Sequence, residues 1–189
     1  IQSGGVKIRN TSRQYGWLAK FFHWSLLVLL VIAVVLGSCA AGLPIGAEKT
    51  NVLWYHKSFG VLVFVGVILR LIWRWANPTP AHAAGVSRPQ QMVSGFVHGS
   101  MYFLLLMQPI TGIVMSQSYG YPAVLFSLVE LPVIVPVDEA LGLLSGAAHG
   151  FIWMMLAFLV LVHVAAALHH HFVRRDDVLR RMSFFSDKS

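Results

Sequence analysis

Cysteine is nearly absent from this chain: Cys39 is the only one in 189 residues. An internal disulfide, a cysteine-built zinc or iron–sulfur site and a Cys-x-x-Cys-His haem attachment are therefore excluded. Charge is the second shortage. Asp, Glu, Lys and Arg make up 11 % of the chain and hydrophobic residues 57 %, whereas about a quarter of a soluble domain is charged. A soluble chain of this length needs far more polar cover, so several apolar runs face lipid rather than water. Acids are the scarcest of the charges, seven against 14 Lys and Arg, leaving a formal net charge of +7. In a soluble chain that excess suggests nucleic acid; in a membrane chain its placement matters more than its sum.

Four apolar stretches are long enough to cross a bilayer, which takes about 20 residues each. The first runs over about 17–43, through FFHWSLLVLLVIAVVLG, with CAAG near its end as a weak processing signal. The second, about 52–75, contains WYHKSFGVLVFVGVILRLIWRW and stops at NPTP, where proline lacks an amide donor and restricts the residue before it. The third, about 92–116, carries Pro109 inside its apolar region, a kink that a membrane helix tolerates. The fourth, about 146–173, ends in RRDDVLRRM. Residues 119–145 are apolar but proline-broken and read as a cap or interfacial segment. The expected fold is all-α, an integral membrane four-helix bundle forming a single domain over 1–189.

Four spans return both termini to one side. Lys7, Arg9, Arg13, Lys20, Arg70, Arg74, Arg88, Arg174, Arg175, Arg180, Arg181 and Lys188 gather there, leaving Lys49 and Lys57 opposite. Lys and Arg resist translocation, so the basic side, with both termini, is expected to be cytoplasmic. The net charge is then a topology signal with some affinity for anionic lipid, not a nucleic-acid footprint.

Nine histidines are the conspicuous excess. His23 lies near the cytoplasmic start of the first helix, and His56 and His149 near the external starts of the second and fourth. His163 follows His149 by 14 residues, about 21 Å down the helix axis and within about 40° of the same face. The four form two levels, His56 with His149 outside and His23 with His163 inside. Facing imidazoles on bundle helices suit the two axial positions of haem iron, whereas zinc normally takes more protein ligands. Simple hydrogen bonding or helix capping by these rings is the plain alternative, and a transporter or structural bundle that handles protons or metal is another. Gly60, Gly146 and Gly150 leave room for a porphyrin edge, or serve helix packing alone.

FFHW at His23, WYHKSFG at His56, HG at His149 and HVAAALHHHFVRRDDVLRRM from His163 resemble the bacterial cytochrome b561 family over about residues 13–183. The resemblance implies four transmembrane helices and two non-covalent b haems, and its ligand pattern falls here on His23, His56, His149 and His163. It also implies residence in the bacterial inner membrane and an activity that includes oxidation of superoxide with reduction of ubiquinone. A diheme module passing electrons from an external protein partner to the quinone pool is the second functional reading.

Other residues take subsidiary expectations. His98, near the start of the third helix, is an alternative inner ligand; His23 is preferred because FHW matches the family motif and the fourth helix already supplies one ligand per level. His82 reads as a loop residue. His169, His170 and His171 form an interfacial cap at the fourth-helix exit, or one of His169 and His170 binds or protonates quinone. Arg70 and Arg74, with Arg13 and Lys20, pair with haem propionates or lipid headgroups. Lys49 and Lys57 steer an anionic external donor, or are simply solvated.

Overall fold

The computed structural model describes residues 7–81, 85–126 and 128–184. Four long helices dominate: α1 (Trp17–Gly42), α2 (Ala47–Trp75), α3 (Arg88–Ser118) and α4 (Glu139–His169). All four are long and apolar enough to cross a membrane. At 1.5 Å per residue even the 26-residue α1 extends about 39 Å, more than the roughly 30 Å hydrocarbon core. Their outward stripes carry bare hydrophobics such as Val28, Val31, Leu69, Phe103, Phe158 and Leu161. A water-soluble bundle would bury such a surface; here it is the lipid face.

Three helix starts fall earlier than the apolar runs indicate, and at α3 and α4 capping chemistry rather than hydropathy sets them. α2 begins at Ala47 rather than about 52. α3 begins at Arg88 rather than about 92, where Gln90 Oε1 accepts the Ser87 N–H at 3.0 Å and Pro89 occupies the first turn. α4 begins at Glu139 rather than about 146, since Asp138 Oδ1 accepts the Leu141 N–H at 3.0 Å. α2 ends at Trp75, as its proline-rich exit requires.

α1 packs along α2 and α3 along α4, and α2 meets α3. The two hairpins approach through a small core of Leu26, Val63 and Val67, backed by Leu29, Leu71, Tyr102, Leu105 and Leu106. Gly66 brings α2 against α1: a Cβ there would lie 2.8 Å from Leu26 Cδ2.

The two ends of the bundle differ. At the basic end the N-terminal segment, the α2–α3 connection and the C-terminal tail are tied together. Lys7 O accepts the Trp17 N–H at 2.9 Å, Asn10 Nδ2 donates to Pro78 O at 3.0 Å, and Ser12 O accepts the Ala81 N–H at 2.9 Å. Trp24 Nε1 donates to Met182 O at 2.9 Å, and Arg181 bridges Asp177 and Ala81 O. Residues 7–16 are thus part of this cap. His82 and Lys188 lie outside the described residues.

At the far end, residues 119–126 and 128–138 fold over the bundle around a short antiparallel pair, β1 (Val124–Leu125) with β2 (Val129–Glu130). Buried Gln117 holds it, donating to Pro132 O and accepting the Ile134 N–H, each at 2.9 Å. Buried Ser58 on α2 donates to Val124 O at 3.2 Å and accepts the Phe126 N–H at 2.9 Å.

Candidate haem sites between the two hairpins

Each hairpin contributes one histidine to each of two levels. At the far end His56 of α2 faces His149 of α4, ring centres 6.2 Å apart and planes 84° apart. At the basic end His23 of α1 faces His163 of α4, again at 6.2 Å, with planes 70° apart. Leu156, 1 % exposed, sits seven residues from each α4 histidine and separates the levels.

The spacing tests whether a bis-histidine metal fits. With a metal–nitrogen bond of about 2 Å and about 1.1 Å from nitrogen to ring centre, imidazoles on opposite sides of one metal have centres about 6 Å apart. Both pairs meet that value. Among the described residues no group of three or more His, Cys, Asp or Glu is placed to hold a metal ion, and a facing pair of imidazoles is a donor set that fits a porphyrin-held iron better than tetrahedral zinc.

Hydrogen bonding fixes the far-end rings. His56 Nδ1 donates to Ala33 O at 2.8 Å, and His149 Nδ1 donates to Gln108 O at 3.0 Å with Thr111 Oγ1 at 3.2 Å. A carbonyl only accepts, so the proton sits on Nδ1 and each Nε2 keeps its lone pair. Gln108 Nε2 lies 3.1 Å from His149 Nε2 and donates to that lone pair. Its own Oε1 is buried without a partner, so nothing anchors the amide there once a metal claims the nitrogen.

At the basic end Arg70 Nη1 is 3.0 Å from His23 Nδ1, and the Arg70 guanidinium lies 5.7 Å from the centre of the Tyr102 ring. Guanidinium only donates, so this contact requires an unprotonated Nδ1. A neutral His23 bound through Nε2 carries its proton on Nδ1, and Arg70 must then turn to another acceptor. One lies nearby in outline: Arg70, Arg74, His98, Tyr102, Trp73 and Asn10 are among the residues lining a cavity of about 60 Å³. Trp73 Nε1 is buried there without a partner. Two cations and an orphaned donor around a space several times the ~10–15 Å³ needed by one water suit a carboxylate.

His98 also approaches His163, with ring centres 5.1 Å apart. That is too close for two ligands on opposite sides of one metal, and its Nδ1 lies 2.6 Å from Ser94 O of its own helix. His169 and His170 are not brought to the His163 level. His170 stands two turns beyond it, where α4 passes into a π-helical turn (His170–Arg174), and its Nδ1 lies 2.5 Å from Asp176 Oδ2. Lys57, beside His56, lies over the Tyr121 ring at 5.8 Å from its centre; Lys49 Nζ donates to Leu43 O at 3.1 Å.

Of the glycines, Gly60 and Gly150 open on space, since a Cβ meets nothing within 4 Å, whereas Gly146 is a packing contact 3.1 Å from Met115 Sδ. Gly37, Gly112, Gln108 and Trp73 belong to no motif in the sequence, and Ser58 merely falls within WYHKSFG. Only glycine within an otherwise apolar span marked the first two; the other three carry no signal until the helices are assembled.

Two facing histidine pairs lie at two depths of an apolar bundle, and comparison with known proteins shows the class, a membrane electron-transfer protein, and its family. The sequence pattern described as prokaryotic cytochrome b561 matches residues 14–184, and the chain belongs to that family. It is 30 % identical over 183 residues to cytochrome b561 homolog 2 of Escherichia coli (strain K12), covering 94 % of this chain and 95 % of the relative. It is 28 % identical over 176 residues to a probable superoxide oxidase CybB of Yersinia pestis, covering 90 % and 96 %. The chain is thus a multi-pass membrane protein of an oxidoreductase-type cytochrome family, and that family implies b-type haem.

Proposed function

We propose that this chain is a di-haem b-type cytochrome that oxidises superoxide at its far end and reduces ubiquinone. The observation that carries the reading is the repeated 6.2 Å separation, His56 to His149 and His23 to His163. When bound, the two haems supply a pair of one-electron carriers stacked across the bilayer. His56 with His149, and His23 with His163, would hold the two haems, and with both rings of each pair engaged electrons would exchange at the porphyrin edges. Arg70 and Arg74 hold propionates in the cavity beside His23. The basic end, with both termini, lies in the cytoplasm of a bacterium and the bundle in its inner membrane.

At the far end Lys57 and Lys49 give an anionic one-electron donor a cationic approach. In the net reaction two superoxide anions each lose one electron to become dioxygen, and one quinone gains two electrons and two protons to become quinol. His170, held by Asp176, supplies protons on the cytoplasmic side. Support for the donor comes from the relative called a probable superoxide oxidase.

A second reading, transfer from an external protein to the quinone pool, is favoured by one feature. The far-end cap presents Leu128, Val133, Ile134 and Val137 bare to its surroundings, a surface on which a partner can dock.

The deciding experiment supplies superoxide and quinone separately to the purified, haem-loaded protein. Rapid reduction by superoxide followed by quinone-dependent reoxidation supports the first reading. Inertness to superoxide with intact reoxidation by quinone favours the second.

A further inference from the structure

The two far-end histidines are received by the same device, built twice. His56 donates Nδ1–H to Ala33 O, and the residue four further along α1 is Gly37. His149 donates to Gln108 O, and the residue four further along α3 is Gly112. In an α-helix the carbonyl of residue i already accepts from the amide of residue i+4. A side chain on that fourth residue would shield the carbonyl's second lone pair from the flank. Glycine leaves it open. A Cβ on Gly37 would stand 2.9 Å from His56 Cε1, and one on Gly112 3.1 Å from His149 Cε1. Each imidazole therefore occupies the space a methyl would take.

No such acceptor serves the basic-end pair. Among the described residues no hydrogen bond is formed by the His163 ring, and His23 Nδ1 faces the Arg70 guanidinium at 3.0 Å. Donation of Nδ1–H to a carbonyl makes the opposite nitrogen the stronger electron donor, which favours an oxidised metal. A nearby cation does the reverse: Arg70 leaves Nδ1 once that nitrogen is protonated, but with Arg74 it stays in the cavity lining at this end. Lys57 is the far end's nearest counterpart, but its ammonium is turned to Tyr121 in the cap.

We propose that Gly37 and Gly112 are positioning residues that open helix carbonyls to His56 and His149, making the far-end ligand pair the stronger donor and the basic-end site the more readily reduced. The inference rests on the di-haem reading and gives it a direction: electrons entering at the far end run toward the basic end.

The test is a spectroscopic redox titration of the full-length, haem-loaded protein and four variants. Wild type should titrate as two components. Gly37→Ala and Gly112→Ala each push an imidazole out of its notch, and both should raise the potential of the same, lower-potential component. Thr111→Val leaves the backbone and notch intact while removing a hydroxyl that competes for the His149 N–H and for Gln108 O, which Thr111 Oγ1 reaches at 2.9 Å. It should lower that same component further. Arg70→Gln should lower the other component. The proposal is overturned if the two glycine variants move different components, if they move the higher one, or if neither they nor Thr111→Val shift anything. Should a glycine variant fail to assemble, Thr111→Val alone decides, by which component it moves. A wild-type protein that holds fewer than two haems overturns instead the functional reading beneath it.

Discussion

Ser58 Oγ accepts the backbone N–H of Phe126 at 2.9 Å, joining the far-end cap to α2 only two residues beyond His56. Phe126 has φ of 46°, a left-handed conformation that a non-glycine residue adopts only where its surroundings impose it. The Ser58 bond and the edge-on packing of Phe126 against Phe59, ring centres 5.5 Å apart, supply that constraint. One buried hydroxyl thus carries the register between cap and helix.

Ser58→Ala should therefore loosen the cap without unfolding the bundle. It strands the Phe126 N–H and the Val124 carbonyl, at about 1–2 kcal/mol. Amide exchange in residues 124–130 should quicken roughly tenfold while exchange within α2 stays unchanged. Equal rates in the cap would show that the Phe126 conformation is held elsewhere.

Trp73 offers a test of the cavity at the basic end. Its Nε1 is buried without a partner, so Trp73→Phe removes an unsatisfied donor and should leave the haem-free chain as stable or slightly more so. If a carboxylate occupies the cavity in the loaded protein, the same change weakens retention of the basic-end haem. Thermal release of haem, followed by absorbance, should quicken for one of the two components; unchanged release would place the carboxylate elsewhere.

The C-terminal reversal carries a pH dependence. Burial raises the Asp176 carboxyl, but hydrogen bonds from His170 and the Val178 amide, with the charges of His170 and Arg174, outweigh it and hold the group below its ordinary range. A folded value below the unfolded one adds stability that is complete above the unfolded value and is lost as pH falls through the folded value. Docking of residues 175–183 should therefore persist to below about pH 4 and then fail. Asp176→Asn should remove that acid transition, read by limited proteolysis of the tail; an unaltered acid profile would assign the transition to another group.

Much of this architecture was legible because the relevant signals are local. Apolar runs of about 20 residues announce spans whatever their neighbours are, and the fourteen-residue interval from His149 to His163 puts both rings on one helix face. Topology puts His23 and His56 at opposite depths, but at the inner depth His98 competes with His23, and only the assembled helices give their separations from His163, 5.1 Å for His98 and 6.2 Å for His23. Helix starts were less legible, since Asp138 and Glu139 fall in the proline-broken 119–145 segment while acting as cap and first turn of α4. His170 and Asp176 are brought together by a π-helical turn and by Arg175 at φ 55°, neither of which hydropathy records. The notches at Gly37 and Gly112 were illegible for a deeper reason. Each matters only to a histidine on the other helix of its hairpin, and no interval within the sequence encodes that meeting.

The central claim is that two separate haem sites share α4, one ligated through His149 and one through His163. Haem quantification with reduced-minus-oxidised spectra on wild type, His149→Ala and His163→Ala tests it directly. A di-haem bundle should hold two b haems per wild-type chain and one in each variant, with a different spectral component lost from each. A single haem in wild type, loss of the same component from both variants, or full haem content in either would contradict it.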